Sequence, residues 1–342
     1  MGNFDDLALA VASFGGHNKV ILDDLGKPSI MVGVPKMKYS DIIAGGTQET
    51  LPWWIVEGIE KNVIWVSKYL NCVVNNRAYS LPMKEPKIYV NFDDALKFSR
   101  NKGEGWHLLQ NGVFAALSLW SEKNGTIPRG NTNQGASNEK AWERGINTNI
   151  GSSMTVTGSG PVTWNHDHTA AGIADLCGNC WEWVSGARLV NGEIQIIPYG
   201  NSMKSDCSMG EDSTEWKAIM PDGTLVEPGT EGTLKIDKNS DMLRINTKVT
   251  TRTTSNTDIS VDFNGVAAVS GVSIPKILIA AGFFPNMGSV APGRFWAKNS
   301  DERLPLRGSN FGNTSDGGVA ALNLSNTRSA MSYNSFRSAF VE

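Results

Sequence analysis

The sequence predicts an α+β protein, rich in loops, with two main helices and short antiparallel sheets. Three observations point that way. Apolar runs are short and bounded by turn residues, as in Val63-Ile64-Trp65-Val66 and then Cys72-Val73-Val74 before Asn75-Asn76, a pattern of brief strands joined by tight turns. Helical periodicity is confined to two stretches, near residues 91–103 and 111–125. The 36 glycines, and a run at 126–163 dominated by Gly, Asn, Ser and Thr, leave much of the chain to loops.

Residues 1–50 carry turn signals at Gly15-Gly16, Gly26-Lys27-Pro28 and Gly45-Gly46, and are expected to form an N-terminal arm or small module. From Trp53 to Tyr79 two or three strands fit, with Asn75-Asn76 as the hairpin turn. A short strand at Ile88–Val90 should lead into a helix capped by Asn91, with Asp93 and Asp94 in its first turn and Gly103 as its stop. In the second helix Val113, Ala116, Leu117 and Trp120 share a face, with Asn111 before them and Gly125 after. Residues 205–272 alternate polar and β-branched residues, as in Ile259-Ser260-Val261-Asp262, and read as a β-rich insertion.

At 342 residues the chain can bury a sizeable core, and 40% hydrophobic with 19% charged residues is a globular balance. A net charge of -3 offers no general attraction to nucleic acid or anionic lipid. No apolar run approaches the roughly 20 residues that cross a bilayer, so neither membrane insertion nor nucleic-acid binding is expected. Asp5 and Asp6 stand where a secretion signal would be basic, and Asp6 replaces the Ser or Thr of a myristoylation motif. Cytoplasmic synthesis without a signal peptide is the expectation.

Four cysteines, Cys72, Cys177, Cys180 and Cys207, are too few for a disulfide scaffold in a chain this long. Cys177-x-x-Cys180 is open to three readings: a redox pair, half a zinc site, or plain packing. His166-Asp167-His168 could ligate a metal or hold a loop by hydrogen bonds.

The most specific local signal is GIADLCGNCWEWVSG, Gly172 to Gly186. Trp181 and Trp183 supply rings for a core, and Glu182 between them supplies one carboxylate facing the amides of the Gly178-Asn179 turn. This stretch resembles the D-L-x-G-N-V-W-E-W signature of the formylglycine-generating-enzyme-like branch of the C-type lectin fold. The unit at Ile88–Arg100, the GWHLL segment with its following helix, ERLPLRG, and the Phe336-Arg337 ending match in the expected order. The likeness covers about residues 53–342 and implies a C-type-lectin-like domain over 51–342. Within that fold the chain is most similar to variable proteins of diversity-generating retroelements in phages and prophages, whose variable domain ends in L-R-G-G-x-W, G-x-x-x-L-x-L and G-F-R. Ser309 replaces the second glycine, Phe311 stands where Trp is usual, and Ser335 precedes Phe336.

The enzymatic relatives implied by this resemblance use two C-terminal cysteines on copper, or a His-rich iron site. This chain has no cysteine after Cys207 and no histidine after His168, and soft metals require such ligands. No catalytic activity and no required cofactor are therefore expected. A structural calcium at Glu182 with the carbonyls of Gly178 and Cys180 is a candidate, since calcium favours hard oxygen ligands. The rival readings are a metal-dependent oxidoreductase of the formylglycine-generating or sulfoxide-synthase type, and a structural virion component.

The ending shows what the resemblance would be for. Leu306, Leu322, Leu324, Phe336 and Phe340 would pack inward, and Arg307, Gly308 and Arg337 would tie the turns. A variable ligand-binding region at about 296–342 would then display Asn310, Phe311, Asn313, Thr314, Ser315, Asp316, Asn323, Ser325, Asn326, Thr327, Ser329, Ala330, Ser332, Tyr333 and Asn334. Antibody loops use the same mixture of small hydrogen-bonding groups and aromatic rings. From Ser309 to Ser335 there is no Lys, Glu, Gln, Trp or Pro, which is compatible with diversification through adenines of Asn-like codons. The resemblance implies a receptor-binding or adhesion protein at a virion surface or host-cell exterior, with a protein or other surface receptor on a target cell as its partner.

Overall fold

The computed structural model describes residues 3–149, 153–239, 242–254 and 257–342. It is an α+β structure. Among the described residues the strands gather chiefly into a five-stranded and a thirteen-stranded sheet, and helix is concentrated in α1 (Asn3–Ala12), α2 (Tyr39–Ile42), α3 (Phe92–Arg100), α4 (Asn111–Lys123) and α5 (Lys276–Ala280).

The smaller sheet runs, edge to edge, through Asn18–Leu22, Pro28–Pro35, Val63–Ser67, Ser338–Phe340 and Trp106–Leu108. Residues 1–50 therefore do not stand apart as an arm or module. Their second strand is buried along most of its length and pairs with Val63–Ser67, Val32 opposite Val66 and Val34 opposite Ile64. The C-terminal strand slots between Val63–Ser67 and Trp106–Leu108. Phe340, expected inside, is half-buried on Trp106, with ring centroids 5.2 Å apart.

The larger sheet carries the site. Its central order is Arg294–Ala297, Leu322–Asn326, Glu302–Arg307, Ala187–Val190 and Glu193–Ile196, with Trp181–Trp183 and Asn334–Phe336 branching from Glu302–Arg307. The β-rich stretch at 205–272 extends this sheet through Lys235–Asn239 and Met242–Asn246. Ile236 and Ile245 from that stretch share one buried core with Phe114 and Leu117 of α4. The sheets are not purely antiparallel. Arg294–Ala297 with Leu322–Asn326, and Trp181–Trp183 with Asn334–Phe336, are parallel pairs.

Local chemistry explains most elements. Asn75 and Asn76 adopt φ of 50° and 58° between the strands Asn71–Val74 and Arg77–Ser80, the left-handed pair that a two-residue hairpin turn of this hand requires. Asn91 Oδ1 accepts from the Asp94 amide at 2.8 Å, capping α3. Replacing Asn91 with alanine orphans that amide and should cost about 1 kcal/mol. An unchanged urea midpoint would show that the cap is dispensable.

One local expectation fails, and one side chain turns away from its own helix, through the pull of distant partners. Ile88–Val90 is not a strand, because the amides in and just before it serve two different segments: Lys87 donates to Asn71 O and Tyr89 to Ser332 O. Asn111, ahead of the apolar face of α4, is the first residue of that helix, after Gln110. Its side chain donates to Ala281 O at 2.9 Å and accepts from Arg307.

Candidate functional site

The Trp181-Glu182-Trp183 strand lies at the base of the site, held by a turn built from residues in the left-handed region. Asp175, Gly178 and Asn179 have φ of 59°, 76° and 64°. Asn179 fixes the turn to the long loop: its Oδ1 accepts from the Thr155 amide at 2.8 Å and its Nδ2 donates to Thr155 O at 2.9 Å. Asn131 Nδ2 donates to the same Oδ1. Buried backbone that no ladder serves must be paired by such side chains.

Glu182 does not face turn amides. Both of its oxygens are taken by Arg337, Nε at 2.6 Å and Nη2 at 2.8 Å, with the two side chains 1% and 0% exposed. Arg337 also donates to Ser67 O and Ala174 O, at 3.0 and 3.1 Å. One guanidinium thus joins the smaller sheet, the Asp175 turn and the larger sheet. Burial pushes the Glu182 carboxyl up, and Arg337 opposes that shift. The expected calcium grouping of Glu182, Gly178 and Cys180 is not assembled, because the carboxylate is turned to Arg337 and Gly178 O accepts from the Cys180 amide. Among the described residues no group of three or more His, Cys, Asp or Glu could hold a metal ion.

Arg307 is the second buried tie. Its Nε and Nη2 donate to Asn111 Oδ1, and its two Nη atoms reach Gly282 O and Ala281 O at 3.1 and 2.8 Å. Burial, with no carboxylate partner among the described residues, draws the guanidinium down to about 9. Gly308 and then Ser309 follow with φ of 83° and 71°. Ser309 occupies the left-handed conformation that a glycine would take freely, and its Oγ accepts from Gly318 N at 3.1 Å, closing the loop 309–318.

On this base the segment between the two arginines sorts by side chain. In Leu322-Asn323-Leu324 the leucines are buried and Asn323 is half-buried on the opposite face, the period-two alternation of a strand. Thr314, Ser315, Thr327, Ser329 and Ser332 are exposed, while Asn310, Asn313, Asp316, Ser325, Asn326 and Ala330 are half-buried. Asn310 and Asn313 fold their Oδ1 atoms back on their own loop, accepting from the Gly312 and Asn310 amides. Phe311 and Tyr333 are half-buried and stack edge to face at 4.9 Å, against Leu70, Ile88, Met154 and Cys180. Asn334 departs from its expected place on the surface. It is 3% exposed, because the strand Asn334–Phe336 pairs with Trp181–Trp183 and draws it inside.

Two residues of this face escape the sequence reading. Tyr89, 53% exposed, lies 5.6 Å from the Tyr333 ring and extends the aromatic patch beyond the C-terminal segment. Nothing local announces it. Arg328 pins the loop 327–333, donating to Asp93 Oδ1 at 2.7 Å, Glu302 Oε1 at 3.0 Å and Met209 O at 2.8 Å. Its signal was legible: it is the single basic residue between Ser309 and Ser335.

The remaining motifs are occupied structurally. Cys177 and Cys180 are buried free thiols, and burial raises both, Cys177 to about 12. A redox pair needs a thiolate, which these surroundings disfavour. His166 Nδ1 accepts from the Ile173 amide at 2.9 Å, and His168 Nε2 meets Ile127 O at 3.0 Å.

Fold and site together define an α+β protein whose C-terminal segment is held by buried arginines and leaves a polar, partly aromatic face in solvent. No known family model matches the chain. No curated protein matches it either. A similar solved structure is that of PvdO from Pseudomonas aeruginosa, 14% identical over 95% of this chain and 98% of that chain, with a TM-score of 0.29; a likeness at this level decides neither fold nor function. Among the described residues no helix is long and apolar enough to cross a membrane.

Proposed function

We propose that the protein is a non-enzymatic receptor-binding or adhesion protein of phage or prophage type. In this reading a C-type-lectin-like fold of the formylglycine-generating-enzyme-like branch presents its C-terminal segment as a diversifiable binding face. The observation that carries it is the division of labour between Arg307 and Arg337. Leu306, Leu322, Leu324 and Phe336 are buried, whereas Thr314, Ser315, Thr327, Ser329 and Ser332 between them are exposed. Loop backbones pinned by Ser309, Asn313 and Arg328 leave those side chains interchangeable without loss of the chain path. With the Tyr89, Phe311 and Tyr333 rings as rigid area, the face can supply the roughly 800 Å² per partner of a specific protein interface.

The test is a library randomised at Thr314, Ser315, Thr327, Ser329 and Ser332 and displayed on cells. Each substitution at Ser315, Thr327, Ser329 and Ser332 should shift stability by no more than about 0.5 kcal/mol, while Thr314, at φ 50°, should favour glycine and asparagine; most members should stay folded, and selection on different proteins should recover different sequences. A library that is largely unfolded, or binders indifferent to these positions, would sink the reading. The coding DNA should also carry a near-copy of its 3′ end, differing at adenines, beside a reverse transcriptase gene.

A further inference from the structure

Beside the display face a cleft of 310 Å³ opens between the 137–139 turn and the 314–318 turn, close to the lower end of the roughly 300–1,000 Å³ of small-molecule sites. Pro128, Cys177 and Pro292 line it together with Thr314 and Ser315 of the display face. Its wall hydroxyls are engaged by their own loop: Thr132 Oγ1 accepts from the Asn138 amide at 3.0 Å, and Ser137 Oγ from the Lys140 amide at 3.2 Å. Arg129, also in the lining, is neutralised by Glu143 through Nε at 2.9 Å. Lys140 is drawn off over the Trp142 ring, 5.3 Å from its centroid.

Glu139 remains. It lines the cleft and is exposed; among the described residues no ion pair or hydrogen bond reaches its carboxylate, and Arg129, bound to Glu143, acts on it only through space. Its field reaches inward: after burial, it is the next cause of the raised Cys177 thiol. An apolar slot with one unpartnered carboxylate complements a flexible apolar stem that ends in a cation.

We infer that this cleft receives the ammonium end of a lysine side chain presented by the protein partner. The inference rests on the display-face reading for its partner, but the cleft is tested without one. The probe is n-pentylammonium, titrated into the full ¹⁵N-labelled chain, with 1-pentanol and pentanoate as controls. Saturable shifts should appear at the amides of Gly130, Cys177, Gly317 and Gly318, strongest for the ammonium and weakest for pentanoate. Glu139→Gln, an exposed change whose fold the same spectra check, should weaken the ammonium about threefold, as an exposed ion pair does, and leave pentanol unchanged.

Equal ammonium binding to the wild type and Glu139→Gln, or no shift at these amides, overturns the inference. If the ammonium binds as expected while the display library yields no binders, the display reading fails and the cleft stands. Binders that leave the cleft empty, with no ammonium shift, would give the reverse result.

Discussion

Arg337→Ala is expected to destabilise the protein by about 3–5 kcal/mol, the cost of leaving one member of a buried pair without its partner. Glu182 would keep its place under Trp181 and Trp183 with neither oxygen satisfied, and the carbonyls of Ser67 and Ala174 would lose donors. Arg337→Lys should recover only part of the loss, because an ammonium cannot reproduce the two parallel bonds of the fork. Pairing Arg337→Met with Glu182→Leu removes both charges and should cost less than Arg337→Ala alone, since a buried pair contributes specificity more than net stability. The measurement is urea unfolding of the three variants beside the wild type. If Arg337→Ala unfolded within about 1 kcal/mol of the wild type, the guanidinium would not be the tie that the site is built on.

Acid is expected to destabilise the protein from about pH 6.5 downward, through two buried histidines. His107 Nδ1 meets Leu108 O at 3.0 Å, and that carbonyl can only accept, so Nδ1 carries the proton. Nε2 is buried with no partner among the described residues. His166 uses Nδ1 as an acceptor from Ile173, so a second proton would break that bond. Burial draws both rings down to about 4.

A folded pKa below the unfolded value of about 6.5 means that the unfolded chain binds more protons in between. Stability is therefore fully present above pH 6.5 and falls as pH drops toward 4, by roughly 3 kcal/mol for each ring. Glu143, held low by Arg129, loses its contribution only at lower pH, through its own depressed pKa. Urea midpoints at pH 7, 6, 5 and 4.5 should fall steadily, and His107→Gln should flatten the slope. A flat profile from pH 7 to 5 would contradict the assignment of neutral buried rings.

The parts legible in the sequence are those whose causes lie within a few residues. Asn75-Asn76 needed no distant partner to form a turn, and Asn91 capped α3 through an amide three positions away. The alternation in Leu322-Asn323-Leu324 sorted its side chains because a pleated strand cannot do otherwise. The same sorting misplaced Asn334, where pairing to Trp181–Trp183 overrode a polar sequence context.

What the sequence determined by itself was the α+β composition, the turn chemistry and the division of the ending into apolar landmarks and small polar fillers. Only the tertiary structure decided that residues 18–35 belong to the sheet that the C-terminus completes, that Glu182 meets Arg337 across 155 positions, and that Tyr89 lies beside Tyr333. The reason is physical. Propensity and capping act over single turns of chain, whereas a buried charge must find whichever partner chain closure brings to it, and in water the unfolded chain gives no sign of which that is.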